Sequence, residues 1–271
     1  MKINYLKMSA FAVLAASTLF LGSCSKDEDS NDNPGGGAPA SNVAKVQNSV
    51  VFSFTGTWCG PCGLYGKPAL KDLEATYKER AVVISCQASD EYTVTAGQQL
   101  QGFFKATSIP TAGVGCNENP FSMLVGGTKV QEVKTKTEEL LALTPIANSN
   151  ITKKVDGNKL VINVETEFFK SVQGEYYLAV YVLEDNIIGR QNVSGQGYVN
   201  DVEFDNIIRF NTESVPYGAL LENGTINANK VFKKEYSVTI DSKWKAENLK
   251  VATVIWKKNS TGFVVCNGAV K

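Results

Sequence analysis

The sequence contains no histidine. That removes Ser-His-Asp and Cys-His catalysis, and every zinc or iron site that needs an imidazole ligand. It has no charge of one sign to spare either: 27 basic residues stand against 27 acidic ones. Nothing in that balance argues for nucleic acid as a partner or for an acidic solvating tail. With 43% apolar and 20% charged residues, the composition is that of a globular chain. Its 271 residues suffice for two domains of ordinary size. Any chemistry must be carried by Cys, carboxylate, Lys, Tyr or Ser.

The start of the chain reads as an address. Lys2 and Lys7 precede an uncharged, mostly apolar stretch over 8–23, which ends in Leu21, Gly22 and Ser23 ahead of Cys24. Leu-Gly-Ser-Cys resembles a bacterial lipobox, and the resemblance implies a signal peptide over 1–23 and lipid attachment at Cys24. An uncleaved membrane anchor is the other reading, but the apolar run is at the short edge of a bilayer span. Removing two lysines would leave 25 basic residues against 27 acidic, a net charge of −2. Ser25 to Asp29, "SKDED", resembles the surface-export signal of Bacteroidetes lipoproteins, and is equally compatible with a plain hydrophilic tether. "SNDNPGGGAPAS" continues a flexible linker, so 24–41 is expected to be a tether. The compartment implied is the cell envelope, at the outer membrane, where disulfides persist.

Two cysteines dominate the next stretch. Val50 to Thr55 reads as a buried strand, and "GTWCGPC" follows at once. Leu64, Leu70, Leu73 and Tyr77 have helical spacing, which puts Cys59 at the start of a helix. Unpaired N–H groups there favour a thiolate, the form in which a cysteine is nucleophilic. "AVVIS" (81–85) reads as a second, parallel strand, and "TAGQQLQGFFKATS" as a helix. Ile109-Pro110-Thr111 follows. "MLVGGTKVQEV" suggests a hairpin-like pair, and "TKTEELLALTP" a closing helix with Thr137 as N-cap.

This order of elements resembles the thioredoxin family. Trp58-Cys59-Gly60-Pro61-Cys62 is that family's active-site motif unchanged, and Ser108-Ile109-Pro110-Thr111 resembles its cis-proline loop. The resemblance covers 42–145 and implies a thiol-disulfide oxidoreductase that needs no cofactor. Cys59 would be the attacking thiolate and Cys62 the resolving thiol. Trp58, Gly60, Pro61, Ile109 and Pro110 would line the substrate, with the Ile109 backbone pairing to it. The family usually carries a buried Asp six residues before the first cysteine, and Ser53 stands there. The strand 81–85 lacks the Lys that often neighbours that Asp, and the helical proline falls one residue late, at Pro68. A zinc half-site would need two more thiolates from Cys86, Cys116 and Cys266, which stand singly, so no metal is expected. Those three are read as buried, unpaired thiols.

The pattern changes after 145. "KLVINVETEF" alternates, Asp156-Gly157-Asn158 is a turn signal, and "EYYLAVYVLED", "VEFDNIIRF", "KVFKKEYSVTI", "LKVATVIWKK" and "GFVVCNGAV" are strand-like. About seven strands suggest an all-β antiparallel sandwich domain over 146–271, following an α/β thioredoxin-like domain. "GRQNVSGQGYVN" reads as a polar loop between strands. Glu184, Asp185, Asp201, Glu203 and Asp205 read as solvated strand-face charges rather than a calcium site, and Tyr176, Tyr177 and Tyr181 as packing. With "YVLEDNII" and "DVEFDNIIRF", the whole arrangement resembles the outer-membrane-protein-28-related (Omp28-like) lipoproteins of Bacteroidetes. Two functions stay open. One is an envelope-anchored oxidoreductase acting on disulfide- or thiol-containing envelope proteins. The other is a redox-inert surface lipoprotein whose β-rich half binds a partner or glycan.

Overall fold

The computed structural model describes residues 41–118, 121–122 and 128–271. The signal peptide over 1–23, Cys24 and the tether up to 40 lie outside the described residues. Residues 41–271 form one compact unit.

Its first half alternates strands and helices. β1 (Ser49–Thr55) has β2 (Ala81–Gln87) on one side, parallel, and β3 (Thr111–Val114) on the other, antiparallel. A strand covered on both faces can be apolar throughout, which is why Val50-Val51-Phe52 shows no alternation. α1 (Lys67–Tyr77) turns Ala69, Leu70 and Leu73 to this sheet. Pro68 is the second residue of α1 and directly follows a wide π-turn over Cys62–Gly66, where the regular ladder of helix hydrogen bonds is already interrupted. α2 (Thr95–Phe103) packs Ala96, Leu100 and the following Phe104 on the opposite face of the sheet. β4 (Phe121–Ser122) pairs with β3.

α3 (Thr128–Leu141) corrects one expectation. The hairpin-like pair expected over 123–133 is helix from Thr128 onward, and residues 123–127 lie outside the described residues. Thr137 is not an N-cap. It is buried mid-helix, where its hydroxyl donates to the Val133 carbonyl at 2.9 Å.

The second half contributes ten strands among the described residues, where about seven were expected. β5 (Ala147–Asp156), β6 (Lys159–Phe168) and β12 (Lys230–Thr239) make a three-stranded antiparallel sheet. β8 (Ile187–Val193) and β9 (Gly197–Phe204) make a separate hairpin. The remaining five are β7 (Val172–Glu184), β10 (Ile207–Asn211), β11 (Ala219–Ile226), β13 (Leu249–Lys258) and β14 (Phe263–Val270). They join the first half's strands in one nine-stranded sheet of order β14-β13-β7-β10-β2-β1-β3-β4, with β11 also on β7. The junction is parallel, Ile207 beside Ser85, and the Ser85 N–H donates to the Asn206 carbonyl at 2.8 Å. The sheet therefore crosses the boundary at 145/146.

Packing follows the same continuity. On one face, Phe52, Phe54, Leu100 and Phe104 from the first half meet Tyr181, Leu183, Val254 and Trp256 from the second in one buried cluster. On the other, β5 and β6 cover β7 and β13 through Ile162, Val164, Leu178, Val180 and Val251. The segment before β1 is tied to β14 by polar groups. Buried Asn267 donates to the carbonyls of Val46 and Ala147, both at 2.8 Å, and accepts the Asn48 N–H at 2.9 Å. Each of these backbone groups would cost roughly 1–3 kcal/mol if left buried without a partner.

Candidate active site

β1 ends at Thr55 and delivers the chain through Gly56, Thr57 and Trp58 to Cys59. The chain is helical from Gly60, passing through one wide π-turn over Cys62–Gly66 before α1. Cys59 and Cys62 are disulfide-bonded with their Cα atoms 5.2 Å apart. Both are buried, Cys59 at 4% exposure and Cys62 at 0%. The Cys62 N–H donates to Cys59 Sγ at 3.2 Å. That is an orphan donor at a helix start aimed at the sulfur that would carry negative charge on reduction. Trp58 beside it is exposed, with its indole N–H donating to the Ala88 carbonyl at 2.8 Å.

Across from the pair lies the Ile109–Pro110 peptide bond, which is cis. Cys59 Sγ sits 3.8 Å from the Ile109 carbonyl oxygen. The structure thus brings Trp58, Cys59, Gly60, Pro61, Cys62, Ile109 and Pro110 into one place. Ser53 is buried on β1, in register with Ser85 and Ala112, and its hydroxyl has no partner among the described residues. No carboxylate replaces the family's acid at this position.

Cys86 is buried at the end of β2, and Cys116 lies beyond β3, with β1 between the two strands. Burial pushes the Cys86 thiol upward and that of Cys266 to about 12. These thiols are held neutral, unlike a metal-binding thiolate. Among the described residues no cluster of Cys, Asp and Glu has the arrangement of a metal site.

Three features escape sequence reasoning. Asp90, in the loop after β2, accepts the Thr57 N–H at 2.9 Å and the Tyr92 N–H at 3.0 Å, pinning the residue before Trp58. Burial raises its pKa, while those two N–H groups oppose the rise. The second is a small cavity of about 40 Å³ between α1 and β2, lined by Lys67, Glu74 and Gln191 together with Leu70, Val83 and Phe204 among others. It has room for water but not for a substrate. The third is the β8–β9 hairpin, whose residues 191–194 lie against the dithiol loop.

Lys67 gives the cavity a titration. Its amine donates to the Glu203 carbonyl and lies over the Phe204 ring, 4.5 Å from its centre. Burial, and then Lys71, push it down to about 8, against the pull of Asp205 and Glu203. The folded pKa lies below the unfolded value of 10.5, so between about 8 and 10.5 the unfolded chain binds more protons. This group's contribution to stability therefore rises with pH through that window. Lys67→Met should abolish the rise, on the order of 2 kcal/mol after allowance for partial exposure. Urea midpoints of both proteins at pH 7.5 and 10.5 measure it.

The family model "Outer membrane protein Omp28" matches residues 97–270. The fold is similar to that of HBP35 of Porphyromonas gingivalis, with a TM-score of 0.65 at 17% identity, over 84% of this chain and 76% of that one. A domain of the outer membrane lipoprotein Omp28 from the same organism aligns over 47% of this chain and 88% of its own, at 16% identity and a TM-score of 0.30. The thioredoxin-like protein CITRX1, chloroplastic, of Nicotiana benthamiana is 34% identical over 53 residues, 20% of this chain. The chain spans 29% of that relative's length. Among the described residues no helix is long and apolar enough to cross a membrane. The family match extends over well more than half of the sequence, and the chain belongs to the Omp28 outer-membrane-protein family.

Proposed function

We propose that this protein is an envelope thiol-disulfide oxidoreductase with a thioredoxin-like centre, anchored to the outer membrane through a lipid on Cys24. Its substrates are thiol- or disulfide-containing envelope proteins. The observation that carries the reading is the convergence at Cys59. A disulfide partner stands three residues on, a helix-start N–H points at its sulfur, and the cis Ile109–Pro110 loop faces it.

In the oxidising direction, a substrate thiolate attacks Cys59 Sγ. The Cys59–Cys62 bond breaks, a mixed disulfide forms, and Cys62 leaves as a thiolate. A second substrate thiolate then attacks the substrate sulfur and releases Cys59. Two electrons pass from the substrate dithiol to the protein, and the substrate's two thiol protons pass to water or to the cysteines. The reducing direction is the reverse, with Cys59 attacking and Cys62 resolving. Ser53 is too weak an acid to serve as the proton carrier for Cys62, so exchange should be slower than with a carboxylate at that position.

Cys62→Ser tests the assignment. The variant keeps the attacking thiol and lacks the resolving one. With a disulfide-bearing protein substrate it should accumulate a covalent complex through Cys59, seen by non-reducing electrophoresis and mass spectrometry. No adduct, or an adduct through Cys86, Cys116 or Cys266, would overturn the reading.

A further inference from the structure

The β8–β9 hairpin belongs to neither of the larger sheets. Its inner strand instead lies along the dithiol loop. Five consecutive carbonyls of that loop, Gly56 to Gly60, accept hydrogen bonds from three hairpin residues, Gln191, Asn192 and Ser194. The Gln191 amide donates to Gly56 at 3.2 Å and to Cys59 at 3.1 Å. The Asn192 backbone donates to Thr57 at 2.7 Å and its side chain to Trp58 at 2.9 Å. The Ser194 N–H donates to Gly60 at 3.1 Å.

The approach is close enough to require glycine at position 63, where the opposing atom is backbone, while at Gly60 a rotation of the Ser194 hydroxyl could relieve the contact. A Cβ at Gly60 would stand 2.7 Å from Ser194 Oγ, and one at Gly63 2.4 Å from the Asn192 carbonyl oxygen. Gln191 is itself 2% exposed, and its amide is shared between the Gly56 and Cys59 carbonyls and the Asn192 carbonyl at 2.9 Å.

Carbonyl oxygens are the negative ends of peptide dipoles. Around Cys59 they oppose a thiolate; those of Gly56 and Cys59 already accept the Cys59 N–H at 3.2 Å and the Gly63 N–H at 3.3 Å, and Gln191 adds a second donor to each. Each donor from the hairpin offsets part of that negative charge, in a site where solvent screens little. The same donors fix the loop in one geometry. Both effects act on the reduced form, whose Cys59 sulfur carries charge, more than on the neutral disulfide.

We infer that Gln191 and Asn192 are positioning residues for the dithiol: by saturating the loop carbonyls they favour the Cys59 thiolate and shift the couple toward the reduced form. This rests on the oxidoreductase reading above and adds what sets its poise. The Gly-Pro dipeptide between the cysteines resembles that of thioredoxin, a strongly reducing centre. The hairpin makes this one easier to reduce than its motif suggests.

The test equilibrates the full-length protein with glutathione, in which two glutathione thiols reduce Cys59–Cys62 and become one glutathione disulfide. The variants are Gln191→Leu, which keeps bulk and removes both donors, and Asn192→Ala, which removes one side-chain donor at the rim without adding charge. Thermal melting of the oxidised proteins verifies the fold. Gln191→Leu should lower the equilibrium constant for reduction about tenfold, which for two electrons is about 30 mV. Alkylation of Cys59 at pH 7 should slow in both variants, because the thiolate is the reacting form. Ile188→Ala, on the exposed side of the hairpin, should change neither reading. If the wild-type pair equilibrates while both donor variants stay within twofold of it, this inference fails alone. If the wild-type pair never equilibrates, the oxidoreductase reading fails and takes this one with it.

Discussion

Cys59→Ser should abolish disulfide exchange, lowering the rate with a protein disulfide by roughly a thousandfold or more, as loss of a nucleophile does. The size of the effect follows from the absence of substitutes. The sequence has no histidine to act in its place. Cys86 is buried and Cys266 half-buried, and burial pushes both thiols toward the neutral form. Cys116, expected to be buried, is half-buried beyond β3, where its thiol donates to the Glu118 carbonyl at 3.0 Å. Cys62 is fully buried behind Cys59 and has no route to a partner. A hydroxyl in place of the Cys59 thiol is not ionised near neutral pH and cannot form a disulfide. Cys62→Ser should behave differently: it still attacks, and stalls at the mixed disulfide. Two variants of one pair with distinct failures are the signature of sequential attack and resolution. Equal residual turnover in both would contradict the assignment of roles. Exchange kinetics with a fluorescent disulfide peptide, followed by mass analysis, separates the cases.

Trp256→Ala should destabilise the whole of 41–271, by about 3–5 kcal/mol. For a chain of this size that lowers the melting temperature by on the order of 10 °C. Trp256 stands on β13, far along the chain from the cysteines, and is fully buried. Its ring stacks on Phe52 of β1 at 5.6 Å and meets Phe103 edge-on at 5.5 Å, with Phe104 at 6.2 Å and Phe263 at 6.5 Å. Truncating it opens a cavity where the first half's β1 and α2 meet the second half's β13 and β14. Neighbouring rings cannot all collapse into the space, so both the lost burial and the void count. One sheet and one shared aromatic cluster imply one cooperative transition, shifted as a whole in the variant. Two transitions by calorimetry, of which only the later half's moves, would contradict this.

The sequence and the structure agree best where local chemistry decides the outcome. The Val50–Thr55 run, the cysteines at a helix start and the proline loop at 109–111 are all stated by residues adjacent in the chain. Strand partners are not stated locally. Nothing in "NIIRF" announces that Ile207 lies beside Ser85. One signal was present: Leu178 to Leu183 is apolar without alternation, as β1 is, and such a strand must be covered on both faces. Read that way, β7 is a central strand, with β13 on one edge and β10 and β11 on the other. α3 was hidden for another reason. Val130 and Val133 following two glycines read as strand, and Thr137 resembles a cap, although its hydroxyl satisfies itself on the helix's own Val133 carbonyl. The hairpin 187–204 shows no apolar period because its inward donors face carbonyls of the dithiol loop rather than a core. Hydrophobic patterning is blind to such an interface.

The most direct test of the central claim is the reduction potential of the Cys59–Cys62 pair. The protein is equilibrated in glutathione and dithiothreitol buffers, the thiols are trapped by alkylation, and each cysteine is assigned by mass spectrometry. The account predicts a reversible two-electron couple confined to Cys59 and Cys62, with a potential above the roughly −270 mV of thioredoxin. A pair that stays oxidised in dithiothreitol, or that reduces but never reoxidises, would contradict it. The oxidoreductase reading would then fail.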